Sequence, residues 1–175
     1  MKSLTVRMLL VMACSVVPSS GCTIEDEQPA VEDQALPIDR RSYNLGAVAA
    51  FAEMVDAGVK RLALSAPLSP AEMDGLMVEA RRIAADHGVE VYRETDFLVT
   101  ELFPAGLTGG KHVLLIYRGA TKQEYLDLKV AKQRLIESDS YDAAARVALA
   151  RRLGHLLSYT EEKIDALLAA RDPDL

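Results

Sequence analysis

The chain has 175 residues, half of them hydrophobic, with 20 Lys and Arg against 26 Asp and Glu for a net charge of −6. An acidic chain of this kind is a poor nucleic-acid binder, because phosphate recognition rewards clustered Lys and Arg. With no Trp, three Phe and six Tyr, its core has to be built mainly from Leu, Val, Ile and Ala.

Residues 1–21 have the three parts of a secretory signal: Lys2 and Arg7 at the start, an apolar run from Met8 to Val17, and small residues before Cys22. That run is ten residues long, against the roughly 20 that a helix needs to cross a bilayer. Pro18-Ser19-Ser20-Gly21-Cys22 resembles the lipid-attachment motif of bacterial lipoproteins, with Ser19 standing where that family usually has Leu, Val or Ile. The resemblance implies cleavage before Cys22, a diacylglyceryl thioether on its sulfur and an acylated N-terminus, so that the partner of Cys22 is the lipid bilayer. One acyl chain holds a protein only marginally, at about 0.8 kcal/mol per buried CH₂, whereas two or more make the anchor durable. Thr23, rather than Asp, follows the cysteine; within the resemblance this points to the outer membrane facing the periplasm, if the cell is Gram-negative. Cys14 falls inside the leader, so the mature chain would carry no free thiol and no internal disulfide. Losing Lys2 and Arg7 takes the net charge from −6 to −8, which disfavours adsorption to anionic lipid by anything except the anchor.

Residues 22–41 read as an acidic, flexible tether. Glu25, Asp26, Glu27, Glu32, Asp33 and Asp39 are interspersed with Pro29 and Pro37 and show no apolar periodicity. Residues 42–171 are then the length of one ordinary globular domain.

Within that domain, Leu45, Val48, Ala52 and Val55 recur at helical spacing up to a left-handed stop at Gly58. Residues 60–65 read as a short strand. Ser69-Pro70-Ala71-Glu72 is a capping box with proline at the first helical position, opening a helix that closes at Gly88. Val89-Glu90-Val91-Tyr92 alternates as a strand does, completing a βαβ unit with an expected right-handed crossover. Residues 96–103 read as a third strand, and 112–118 as a fourth whose apolar run suits a central position. Between them, Gly109-Gly110-Lys111 invites comparison with a phosphate loop. Such loops lead from a strand into a helix, and this one leads into Val113-Leu114-Leu115-Ile116, so a hairpin connection is expected. After Gly119 everything reads as helix: one opened by a Thr121/Glu124 capping box and broken at Ser138-Asp139-Ser140, one over 141–157, and a last one capped by Thr160. The predicted class is α/β, with α+β as the alternative: a small mixed sheet of about four strands and a three-helix C-terminal segment.

Chemistry is sparse. His87, His112 and His155 have no second His at the three- or four-residue spacing of a helical metal site, and the one carboxylate at that spacing, Glu90, lies past the helix stop at Gly88, so no metal and no cofactor is expected. The densest polar cluster is Tyr92, Arg93, Glu94 and Asp96. Glu101 and His112 would join it if the third and fourth strands formed a hairpin, and a carboxylate beside an imidazole is the raw material of acid–base catalysis. No Gly-x-Ser-x-Gly and no mature thiol beyond Cys22 offers a nucleophile. Lys129, Lys132, Arg134, Arg146, Arg151 and Arg152 make the C-terminal helices the most basic region, a candidate docking face for a protein partner. The sequence thus favours a lipid-anchored accessory or binding subunit of the cell envelope over an enzyme. The rivals are a small-molecule-binding lipoprotein using Tyr92, Glu94 and Asp96 at the strand ends, and a hydrolase-like Glu/His pair.

Overall fold

A computed structural model of the chain describes residues 39–170. The leader, Cys22 and nearly all of the expected tether lie outside the described residues. Three layers are stacked: helices α1 (Arg40–Asp56) and α2 (Pro70–Asp86), a sheet of β1 (Leu62–Leu64), β2 (Glu90–Glu94) and β3 (Val113–Tyr117), and helices α4 (Thr121–Glu137) and α5 (Ala143–Leu156). A one-turn helix α3 (Ala105–Thr108) precedes β3, and α6 (Glu161–Ala169) follows α5. None of these helices is long and apolar enough to cross a membrane.

The central element is β3, as its composition demands. All five residues of Val113-Leu114-Leu115-Ile116-Tyr117 are buried, and only a strand covered on both faces and flanked on both edges can bury such a run. Alternation sends Leu114 and Ile116 to the layer of α1 and α2, and Val113, Leu115 and Tyr117 to the layer of α4 and α5. Fully burying each of the three branched side chains at its centre contributes about 1.5–3 kcal/mol.

The α/β class holds, and two details of the expected sheet change. The sheet has three strands in the order β1-β3-β2, and both pairings are antiparallel, Leu62↔Tyr117 to Leu64↔Leu115 and Glu90↔Tyr117 to Glu94↔Val113. Strands β1 and β2 do run in the same direction around α2, but β3 lies between them. The strand–helix–strand unit is therefore split, because the one strand apolar at every position takes the middle.

The second change concerns residues 96–103, which form no strand. Their backbone groups are met by side chains and by one another: Lys132 Nζ donates to the Val99 carbonyl at 2.9 Å, the Leu98 N–H donates to Tyr125 Oη at 2.9 Å, and Thr100 and Phe103 exchange two 3.1 Å bonds. Lys129 Nζ also donates to the Asp96 carbonyl. A segment with its donors and acceptors satisfied this way has no need of a neighbouring strand. It follows that residues 104–111 are not a hairpin; they hold α3 and a turn.

Helix boundaries follow local chemistry. The capping box of α2 forms, with Ser69 Oγ accepting from the Glu72 N–H at 3.3 Å and Glu72 accepting from the Ser69 N–H at 2.9 Å. The Ser69 hydroxyl and N–H together hold the Glu72 carboxyl below its usual range. Gly58 and Gly88 adopt φ of +73° and +64° beyond α1 and α2, the left-handed region that glycine enters without strain. Thr160 caps α6, accepting from the Lys163 N–H at 3.3 Å.

Two caps differ from expectation. Asp39, counted with the tether, accepts from the Arg41 and Ser42 N–H groups at 3.2 Å, so helix begins at Arg40 inside the segment assigned to the spacer. The Ser42 hydroxyl and N–H hold the Asp39 carboxyl low. Thr121 is the first helical residue of α4 rather than its cap; its hydroxyl donates to the Arg118 carbonyl at 2.9 Å. Glu124 is thereby one position too deep for a capping box, and it receives Arg61 through two bonds of 2.6 and 2.7 Å.

Candidate functional site

An apolar cavity of about 270 Å³ opens beside β1, at the free edge of the sheet. Its walls come from every layer: Phe51 from α1, Ala63 and Leu64 from β1, Phe97 and Phe103 from the irregular segment, and Leu157 and Tyr159 from the turn between α5 and α6. All three phenylalanines of the chain are among them. Phe97 and Phe103 meet edge to face with centroids 5.6 Å apart, and Phe97 stacks on Tyr125 at 5.9 Å. These geometries are favourable for aromatic pairs and lock the rings in place.

Four polar residues, Lys60, Ser65, Thr108 and Tyr159, are among those that line the cavity. The Ser65 hydroxyl donates to the Ala66 carbonyl at 2.8 Å and accepts from the Leu114 N–H at 2.9 Å, so it is largely engaged. Thr108 of α3 and Tyr159 add hydroxyls, and burial pushes the Tyr159 phenol above its ordinary pKa. Lys60 supplies the only charge, for no Asp or Glu is among the lining residues. Its ammonium donates to the Leu157 carbonyl at the end of α5 at 3.1 Å and lies 5.3 Å from the centroid of the Tyr159 ring. An apolar cavity with a few convergent polar groups is the usual form of a small-molecule site.

None of Tyr92, Glu94, Asp96, Glu101 and His112 lines this cavity. Tyr92 packs with the α4–α5 layer, and the Lys122 ammonium lies 5.3 Å from its ring centroid. Glu94 is 3 % exposed; its Oε1 accepts from the Asp96 N–H at 2.8 Å and from Lys129 at 3.2 Å, while Oε2 has no hydrogen-bond partner among the described residues. Asp96 lies 3.5 Å from the same lysine. Near this cluster Tyr125 is fully buried, and burial, reinforced by the Glu94 charge, pushes its pKa far above the ordinary phenol value. Glu101 pairs with Arg146 of α5 at 3.2 Å. His112 bridges to Leu68 through backbone bonds, and its Nδ1 accepts from Arg93 Nε at 2.9 Å. The hairpin that would have joined Glu101 to His112 does not form. Each of the two is held by a different arginine.

The basic residues of the C-terminal helices are largely engaged within the fold. Lys129 and Lys132 hold the 96–99 segment, Arg146 meets Glu101, and Arg151 meets both Glu161 and Asp165. The Arg151 guanidinium is held above its ordinary pKa by the Asp165 hydrogen bond. Among the described residues, no group of three or more His, Cys, Asp or Glu is placed to hold a metal ion.

No protein-family model matches the chain. No curated protein matches it, and no solved structure does. What the domain does must therefore be read from its own residues.

Proposed function

We propose that this is a lipid-anchored binding protein of the cell envelope, tethered through Cys22, whose domain receives a small apolar ligand in the cavity beside β1. The observation that carries the reading is the cavity itself: about 270 Å³, lined by all three phenylalanines of a chain that has no tryptophan. An apolar occupant packed against the three rings would make dispersion contacts that water in the same space cannot match.

The test is thermal unfolding of the full-length chain in the presence of benzyl alcohol, n-hexanol and similar small probes. A ligand present at 100 times its Kd stabilises the folded state by about 2.7 kcal/mol, which raises Tm by several degrees. If no probe raises Tm, the cavity is not a binding site. The anchor is tested separately, by metabolic labelling with a fatty acid: Cys22→Ala should abolish the label and release the chain from the membrane fraction.

A second reading, a protein partner seated on the C-terminal helices, is favoured by Val130, Ile136 and Val147, apolar residues of α4 and α5 that are 47, 48 and 38 % exposed. It requires that cross-linking in intact cells recover one specific partner, and that Ile136→Glu abolish the adduct without lowering Tm.

A further inference from the structure

We infer that the ligand of the β1 cavity is an anion: a small aromatic or aliphatic monocarboxylate whose carboxylate pairs with Lys60 while its apolar body fills the space between Phe51, Phe97 and Phe103. This rests on the binding function proposed above and specifies the chemistry of the same site. Size comes first. A water occupies about 30 Å³ of liquid, so a cavity of about 270 Å³ holds the equivalent of roughly nine waters, or a ligand on the order of ten non-hydrogen atoms. That is a ring with a short acid arm, or a medium-length fatty acid.

Charge comes second. Arg41, Arg61, Arg93, Arg118, Arg146 and Arg151 each meet a carboxylate on another part of the fold. Lys60 meets none among the described residues, a trait it shares with Lys122 and Lys132, but of the three it alone lines the cavity; its partners are one carbonyl and one ring. An ammonium has three donors, and the Leu157 carbonyl takes one of them. No acidic residue lines the cavity, so the one formal charge among its lining residues is positive. In an otherwise acidic protein of net charge −6, that local inversion of sign selects an anion at this wall and disfavours a cation.

Shape comes third. The Tyr159 ring beneath the Lys60 ammonium and the edge-to-face pair of Phe97 and Phe103 present faces and edges suited to a flat ring. The carboxylate would enter beside Tyr159, at the end of α5. Lys60 stands between that negative helix terminus and the anion and can donate to both.

Calorimetric titration of the full-length chain with 3-phenylpropionate, 3-phenylpropan-1-ol and 3-phenylpropylamine separates the possibilities. The three probes share one apolar body and differ in charge. The carboxylate is expected to bind about tenfold more tightly than the alcohol, because a hydrogen bond to a charged group outweighs one between neutral groups, and the amine more weakly than either. Lys60→Gln should erase the preference of the carboxylate over the alcohol, and Lys60→Arg should restore it; the urea midpoint of each variant checks that the fold is kept. If the alcohol binds as well as the carboxylate, the anion assignment fails and the binding function stands. If none of the three binds, the binding function fails with it.

Discussion

Replacing Lys129 with methionine removes the cation facing the buried Glu94 while keeping the length of the side chain. The Glu94 side chain is 4 % exposed, and Lys129, 3.2 Å away, is 26 % exposed. Breaking a buried ion pair by deleting one partner usually costs about 3–5 kcal/mol, because the surviving charge is stranded. Here Oε1 keeps the Asp96 N–H and the lysine is a quarter exposed, so the expected loss falls to about 2–3 kcal/mol. Glu94→Gln should cost less, about 1 kcal/mol, because the ammonium left behind retains the Asp96 carbonyl and carboxylate and can reach water. In the double variant the neutral amide no longer needs a cation, so its loss should be smaller than that of Lys129→Met alone. Urea denaturation at neutral pH reads all four corners of the cycle. For a domain of this size each kcal/mol moves Tm by roughly 3–5 °C, so Lys129→Met should melt about 10 °C below the parent. A loss under about 0.5 kcal/mol would place the pair with ordinary surface ion pairs and would refute the claim that it clamps the 96–99 segment.

Three further outcomes follow from the packing. A Cβ on the buried Gly154 of α5 would stand 2.7 Å from Ile164 Cγ1 and Cδ1 and 3.2 Å from Leu102 Cδ1; overpacking of about 1–3 kcal/mol outweighs the roughly 1 kcal/mol gained from helix propensity. Gly154→Ala should therefore lower stability by up to about 2 kcal/mol, whereas Gly75→Ala, with nothing within 4 Å of its Cβ, should raise it by up to about 1 kcal/mol, both read by denaturant midpoint. Alkaline stability should also fall. Burial and the hydrogen bond to Glu90 push the Tyr117 pKa up to about 12; the unfolded chain ionises first, so this contribution is intact below about pH 10 and is lost between pH 10 and 12. Tyr117→Phe should make the alkaline limb of a stability–pH curve shallower, and an unchanged limb would count against the assignment. Finally, a bound probe should slow amide exchange at Leu98, Thr100 and Phe103, and Lys129→Met should speed it.

Sequence reading succeeded where structure is local. The Ser69–Glu72 capping box, the left-handed glycines at 58 and 88 and the Thr160 cap each depend on residues within one turn of one another. The central place of β3 was equally readable, since a run apolar at every position has few other homes. It failed at residues 96–103, whose partners Tyr125, Lys129 and Lys132 lie about 30 residues downstream. A lysine reaching a carbonyl leaves no trace in the alternation of the segment it holds. The cavity was hidden for the same reason, its walls spanning Phe51 to Tyr159. The one available signal was compositional: a chain with only three phenylalanines places two of them, Phe97 and Phe103, in a single eight-residue stretch.

The misread stretch and the cavity are one physical system. A true strand at 96–103 would satisfy its backbone against a neighbour and hold Phe97 and Phe103, six positions apart, on one face but about 20 Å from each other. Held instead by Tyr125 and two lysines of α4, the segment is free to turn both Phe97 and Phe103 into one space and to bring them edge to face. The same arrangement makes it the wall most open to adjustment, because its anchors are a few side-chain bonds rather than a ladder. An occupant that packs against both rings binds only when the segment is in place, so the clamp at Lys129 and the occupant of the cavity must stabilise each other by equal amounts. Loosening the clamp should therefore weaken every probe in proportion, whatever its charge. Changes at Lys60 should sort probes by charge and leave the segment undisturbed. Those two signatures are independent, and together they separate how the cavity is built from what it selects.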